Sequence, residues 1–273
     1  MTLTRKNCHD ETRELGPTAQ RTRRNVIGMG AIFVSVALAR TKASANCGHK
    51  ACKCFLKGTR IQTADGERKV EDLSIGDMLP TVFGGARPVR WIGRYPIKKT
   101  EPAKPWPKEA QPVRIARSAL ALGVPHAPLY VTAGHALLID GLLVQAGMLV
   151  NGTTITRYAA LKYDELEFFH IKLESHDVIY AEGAPVDTLL KVDESMVNFA
   201  EYFRRYGMEQ TEAIPCAPRV PYTGGRDELK SRMRSAISPA FDRRQPFDVI
   251  RDRLEERGIT LSRNPEFSLV DEI

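Results

Sequence analysis

The hydrophobic pattern changes character partway along the chain. Between Thr59 and about Leu190, apolar residues come in short runs such as Leu129-Tyr-Val131 and Ala136-Leu-Leu-Ile139, separated by Gly, Pro, Asn and Asp. Runs this short between turn-formers predict strands. Asp65-Gly66 and Asp140-Gly141 read as two-residue hairpin turns, because each pair supplies residues that tolerate positive φ. The proline-rich stretch from Pro96 to Pro112, which holds Trp106, reads as a surface loop. Past Leu190 the apolar spacing becomes three and four. Met196, Phe199 and Phe203 predict a helix over Ser195 to Tyr206. Two more amphipathic segments follow, Asp227 to Ile237 and Asp248 to Arg257, the last with Gly258 as its C′ stop. Pro215, Pro218 and Pro221 mark a linker between them and the first helix. The pattern thus predicts a mainly β domain over residues 54–190 and a small helical C-terminal extension over 191–273.

A repeat lies inside the β region. Val70-x-x-Leu73-x-x-Gly76 follows the first Asp-Gly pair, and Ala146-x-x-Leu149-x-x-Gly152 follows the second, although the distance from the turn differs by one residue. A duplicated β unit accounts for this, with two halves related by a pseudo-twofold closing one core. Chance is the competing account, since Leu and Gly are common.

Composition and charge alter the picture mainly at the N-terminus. The 273 residues are 42% hydrophobic and 27% charged, ordinary for a globular protein, with a formal net charge of +7. Residues 1–45 carry eight basic and three acidic side chains, so they hold five of those seven charges and leave +2 for the rest. That excludes a broad electrostatic footprint for nucleic acid on the β domain. The leader itself reads as a twin-arginine export signal. Arg23-Arg24 precede an apolar run from Val26 to Ala39, and Ala43-Ser44-Ala45 has the small-residue form of a cleavage site. The run is short for a bilayer, whose hydrocarbon core is about 30 Å thick, so no stable membrane span is expected after signal removal. Residues 46–53 then form a short leader, and the expected location is periplasmic or extracellular.

Three groups of residues carry chemistry: Cys54 at the start of the β domain, Thr132-Ala-Gly-His135 after a strand, and His170-Ile-Lys-Leu-Glu-Ser-His176 near the domain's end. His170 and His176 are an even number of residues apart, so in an unbroken strand they share a face. Taken singly, each has a plain reading: Cys54 as packing, His135 as a core histidine, His176-Asp177 as a solvated strand end. In order and spacing they resemble the Hint domains shared by Hedgehog autoprocessing domains and inteins. Cys54-Phe-x-x-Gly-Thr-x-Ile-x-Thr-x-x-Gly66 and Val70-Glu-Asp-Leu-x-x-Gly-Asp77 are similar to that family's first block. Thr132-x-x-His135 is similar to its T-x-x-H block, Ile171-Lys-Leu-Glu-x-x-His176 resembles its late strand block, and Arg90-Trp-Ile-Gly93 points to the bacterial subgroup.

The resemblance implies an all-β horseshoe with an internal pseudo-twofold, and a chemistry. The Cys54 thiol attacks the Lys53 carbonyl, turning the Lys53–Cys54 amide into a thioester by an N-to-S acyl shift. His135 protonates the departing nitrogen, Thr132 positions the histidine or the peptide, and water or a small nucleophile accepts the acyl group. Many members carry an acid where His170 stands. Asn-Cys pairs occur only upstream, at Asn7-Cys8 and Asn46-Cys47, so N-terminal cleavage without full splicing is expected. No cofactor is called for. Two other readings compete. A catalytically degenerate module would serve in binding or structure, and the eight residues 46–53 make a small cargo to release. A metal segment could use Cys47, His49, Cys52 and Cys54, but no second knuckle follows. With five cysteines one is left over: Cys47–Cys52 is the unstrained disulfide, Cys52–Cys54 would be strained, and Cys216 is a further partner.

Overall fold

The structure is a computed structural model, described here for residues 53–192, 199–207, 214–221 and 225–263. Residues 1–45, where an export signal is expected, residues 46–52 and the cysteines Cys47 and Cys52 lie outside the described residues. Among the described residues no helix is long and apolar enough to cross a membrane.

The first half of the domain opens with β1 (Phe55–Leu56) and a hairpin of β2 (Arg60–Thr63) and β3 (Gly66–Lys69), followed by a 3₁₀ turn over Val70–Asp72. Then come β4 (Met78–Thr81), β5 (Gly85–Pro88) and the long β6 (Trp91–Lys98). The first half closes with β7 (Val113–Ile115); the second begins with β8 (Leu129–Val131) and repeats the hairpin in β9 (Ala136–Ile139) and β10 (Leu142–Gln145) before a 3₁₀ turn over Ala146–Met148. It continues with β11 (Ile155–Arg157), β12 (Glu165–Lys172), β13 (Val178–Ala181) and β14 (Ala184–Asp187). One sheet has the order β11-β7-β8-β1-β12-β6, the other β10-β9-β14-β13-β2-β3 with β4 and β5 attached through β13.

These orders express the repeat. Exchanging β1 with β8, β2 with β9, β3 with β10, β6 with β11, β7 with β12 and β13 with β14 carries each sheet onto itself, with the axis between β1 and β8 in one and between β13 and β14 in the other. The local hydrogen bonds obey the same exchange. Thr59 N–H donates to Leu56 O at 3.1 Å and Val70 N–H to Thr59 O at 2.8 Å, while His135 N–H donates to Thr132 O at 3.0 Å and Ala146 N–H to His135 O at 2.8 Å. Thr59 and His135 are therefore equivalent positions.

The one-residue offset seen in the sequence disappears once the turns are placed. In the second hairpin Ile139 pairs with Leu142, so Asp140-Gly141 is the loop, with φ of 50° and 78°. In the first, Thr63 pairs with Gly66, so the loop is Ala64-Asp65 and Gly66 already belongs to β3. Counted from the true loops, the two hairpins coincide residue for residue. Asp65-Gly66 is thus corrected by one position.

Three other sequence expectations need amendment. Pro96 lies within β6 rather than in a loop, tolerated because β6 is an edge strand. Trp106 is not on the surface: it is 4% exposed, donates to Tyr163 O at 2.9 Å, and joins Cys54, Tyr95, Ile97 and Phe168 in one apolar cluster. Gly258 does not stop the last helix. The helices among the described residues are α1 (Phe199–Tyr206), α2 (Gly225–Ile237) and α3 (Pro246–Ser262), and α3 runs straight through Gly258. A Cβ there would lie 2.3 Å from Thr153 Oγ1, so the glycine permits close approach of helix to sheet domain. Ile250 and Leu254 of α3 enter the main core, and Tyr202 of α1 packs on Trp91.

Candidate active site

Each site residue is placed by a particular element. Cys54 immediately precedes β1, whose Phe55 pairs with Val131 of β8 and with Phe169 of β12, so its neighbours on both sides are fixed. Thr132 follows β8, and the contact is reciprocal: Cys54 N–H donates to Thr132 Oγ1 at 2.9 Å, and Thr132 N–H to Cys54 O at 3.0 Å. The nitrogen of the Lys53–Cys54 peptide is therefore held by the threonine. His170, on β12, sets its Nε2 2.9 Å from the fully buried Cys54 Sγ.

His135 is 1% exposed, and its Nε2 bonds the main-chain oxygen of Asp187 at 2.8 Å, which makes Nε2 the protonated nitrogen. Nδ1 is then the bare nitrogen, buried and without a hydrogen-bond partner among the described residues. Burial lowers the His135 pKa below its ordinary value, although the Asp187 carboxylate and the Cys54 and Asp187 backbones oppose the shift. The plain reading of His135 as a satisfied core residue fails on that open Nδ1.

Sequence reasoning did not single out Asp187, the last residue of β14. Its carboxylate is wholly buried and collects partners. Oδ2 lies 2.7 Å from Arg219 Nη2, 3.2 Å from Lys53 Nζ and 3.4 Å from His176 Nε2, while Oδ1 accepts from Ala136 N–H at 3.0 Å. Burial alone would raise its pKa. The His176 hydrogen bond and the electrostatic pull of His135, Lys53 and Arg219 outweigh that and hold the carboxyl well below the usual range. Lys53 lies below the range of a free lysine: burial lowers its pKa, only partly countered by Asp187. The only signal for Asp187 was an acid closing an apolar strand, Ala184-Pro-Val-Asp187, which many surface strands share.

His170 and His176 are not on a common strand face. β12 ends at Lys172, and His176 stands in the crossing to β13, in the other sheet. Nor is His176-Asp177 a solvated end, since the two are 8% and 1% exposed. Asp177 is a structural anchor, accepting from Thr81 Oγ1 at 3.0 Å and Arg87 Nε at 3.1 Å. His176 accepts from Cys216 N–H at Nδ1, 3.0 Å away. Cys216 forms no disulfide within the described residues, and burial pushes its thiol up to about 11. No group of three or more His, Cys, Asp or Glu side chains suited to a metal ion occurs among the described residues.

The arrangement comprises a buried thiol on a histidine, a peptide nitrogen on a threonine, and a second histidine oriented by a buried aspartate. The sequence pattern of the Hint domain matches residues 53–193, just over half of the chain. The chain belongs to the Hint-domain family. It carries a domain of the autoprocessing type, on a mainly β fold with the family's internal pseudo-twofold. Among solved structures it is similar to the gp41-1 intein, at 15% identity and TM-score 0.35 over 50% of this chain and 98% of that one. It is similar also to a bacterial intein-like domain from Clostridium thermocellum, at 16% identity and TM-score 0.36 over 51% and 100%. A DnaB intein from Synechocystis sp. PCC 6803 gives 12% identity and TM-score 0.35 over 50% and 98%. No curated protein matches the chain.

Proposed function

We propose that this Hint domain cuts its own chain at Lys53–Cys54 by an N-to-S acyl shift, with water or a small nucleophile taking the acyl group. The observation that carries the reading is the double grip on Cys54: its thiol on His170 Nε2 and its amide nitrogen on Thr132 Oγ1, both at 2.9 Å. In the shift, the Cys54 sulfur bonds the Lys53 carbonyl carbon and the C–N bond breaks. The thiol proton passes to His170, and the freed nitrogen gains a proton from His135 after the bare Nδ1 of that ring, which also meets the Cys54 backbone, has taken one up from water. Thr132, by accepting the N–H, holds that nitrogen while its bond to carbon lengthens. An amide is more stable than a thioester, so the acceptor must trap the product. We further propose that the leader exports the domain and that export follows folding, with the thiol still reduced.

The test uses the chain without residues 1–45 and with a folded tag before Cys47, followed by intact mass with and without added thiol. Cleavage after Lys53 is expected, abolished in Cys54→Ala and slowed at least about a hundredfold in His135→Ala, the usual worth of a positioned acid or base. An uncut chain under every condition overturns the proposal and leaves a degenerate binding or structural module.

A further inference from the structure

The segment Ile214–Pro221 lies beyond the residues matched by the Hint pattern, yet it reaches the site. It docks along β10: Leu143 N–H donates to Pro218 O at 2.8 Å, and Val220 N–H to Leu143 O at 3.0 Å, forming a parallel bridge between Leu143 and Arg219. Cys216 and Ala217 pack against Ala136, Leu143 and Val178. The docking delivers two groups. Cys216 N–H lies 3.0 Å from His176 Nδ1, and Arg219 Nη2 lies 2.7 Å from Asp187 Oδ2 and 3.1 Å from His176 Nε2.

We propose, resting on the self-cleavage reading above, that this segment is a working part of the site, with Cys216 and Arg219 as positioning residues for the acyl shift. A main-chain N–H has one use for Nδ1: it fixes the lone pair there and sends the His176 proton to Nε2, toward Asp187. The Cys216 sulfur also lies 3.0 Å from Nδ1, but that lone pair is already taken, so the thiol has no free base and is not a second nucleophile. Arg219, 2.7 Å from Oδ2, joins the His176 hydrogen bond, His135 and Lys53 in keeping Asp187 ionised when burial works against it. The groups facing that carboxylate are Lys53 before β1, His135 after β8, His176 between β12 and β13, and Arg219 on the docked segment. Asp187 in turn fixes His135 through its main-chain oxygen and engages Lys53, the residue whose carbonyl reacts. Cleavage ahead of Cys54 is thereby tied to the docking of residues made long after it.

The test has two readouts on the chain lacking residues 1–45. The first is the cleavage rate against pH. Arg219→Gln is expected to lose about tenfold or more, the worth of one charge-assisted hydrogen bond, and to move the acid limb of the profile to higher pH; Arg219→Lys restores most of both. The second is the ring-nitrogen NMR signature of His176, which needs no cleavage: an unprotonated Nδ1 and a protonated Nε2. Cys216→Ala keeps the main-chain donor and that signature, whereas Cys216→Pro removes the donor and loses it. A wild-type rate and acid limb in Arg219→Gln overturns the proposal. Should the parent chain not cleave at all, the self-cleavage reading fails, and the His176 signature alone decides: the same pattern in Cys216→Pro as in the parent overturns the inference.

Discussion

Cys54 is the residue on which the proposed chemistry turns, and its surroundings differ from those of an ordinary buried cysteine. Its sulfur is sealed among Tyr95, Ile97, Trp106 and Phe168, an apolar setting that by itself resists thiolate formation. His170 Nε2 at 2.9 Å supplies the partner that such a thiol needs. Thr132 works on the other end of the same residue through the amide N–H. Thr132→Ser preserves the acceptor and is expected to cleave near the parent rate, while Thr132→Val keeps the shape, removes the acceptor and slows cleavage by about tenfold. Equal rates for serine and valine, read from the time course of intact mass, would show that the hydroxyl plays no part. Cys54, Thr132 and His135 were legible in the sequence because each sits in an ordered motif beside a strand. Asp187 and Arg219 were not. A carboxylate at a strand end and an arginine between prolines become a pair only when β14, β9 and β10 are stacked and the distal segment is laid on them.

At the level of elements, the repeat was legible before its geometry was. The two hairpins carry the same strand lengths, loop length and following 3₁₀ turn, and only the position of the first turn was misplaced, because Gly66 at φ 111° follows the loop instead of forming it. The equivalence of Thr59 and His135 then has meaning: duplication yields the same backbone corner twice, and one copy bears the histidine of the site. The helices were located by period, but the role of Gly258 was invisible, since a glycine near a helix end signals a cap in sequence and a close contact in space. Gly258→Ala removes no cap here; it sets a methyl against Thr153, Asn151 and Thr154. It is expected to destabilise by about 1–3 kcal/mol, measured by denaturant unfolding. A stabilised variant, as Gly→Ala in an open helix interior gives, would contradict the close packing.

For the molecule as a whole, the buried site makes stability depend on pH in a definite direction. His135 has its folded pKa lowered from 6.5, so below 6.5 the unfolded chain takes up a proton that the folded chain refuses, and stability falls as pH falls. Asp187 is lowered from 3.8; its contribution is complete above 3.8 and fades only below it. Melting at pH 7 and pH 5 therefore isolates the histidine: the midpoint is expected to drop on acidification in the parent and to drop less in His135→Gln. A parallel drop in both variants would assign the loss elsewhere. The extension belongs to the same account, since α3 enters the core through Ile250 and Leu254 while Arg219 enters the site.

The most direct test of the central claim is the identity of the bond that breaks. With a folded tag ahead of Cys47 and hydroxylamine as acceptor, the acyl shift predicts a released fragment ending at Lys53 as its hydroxamate, with a complementary fragment beginning at Cys54. A chain that stays intact, or a fragment ending in a free carboxylate at another residue, would contradict it.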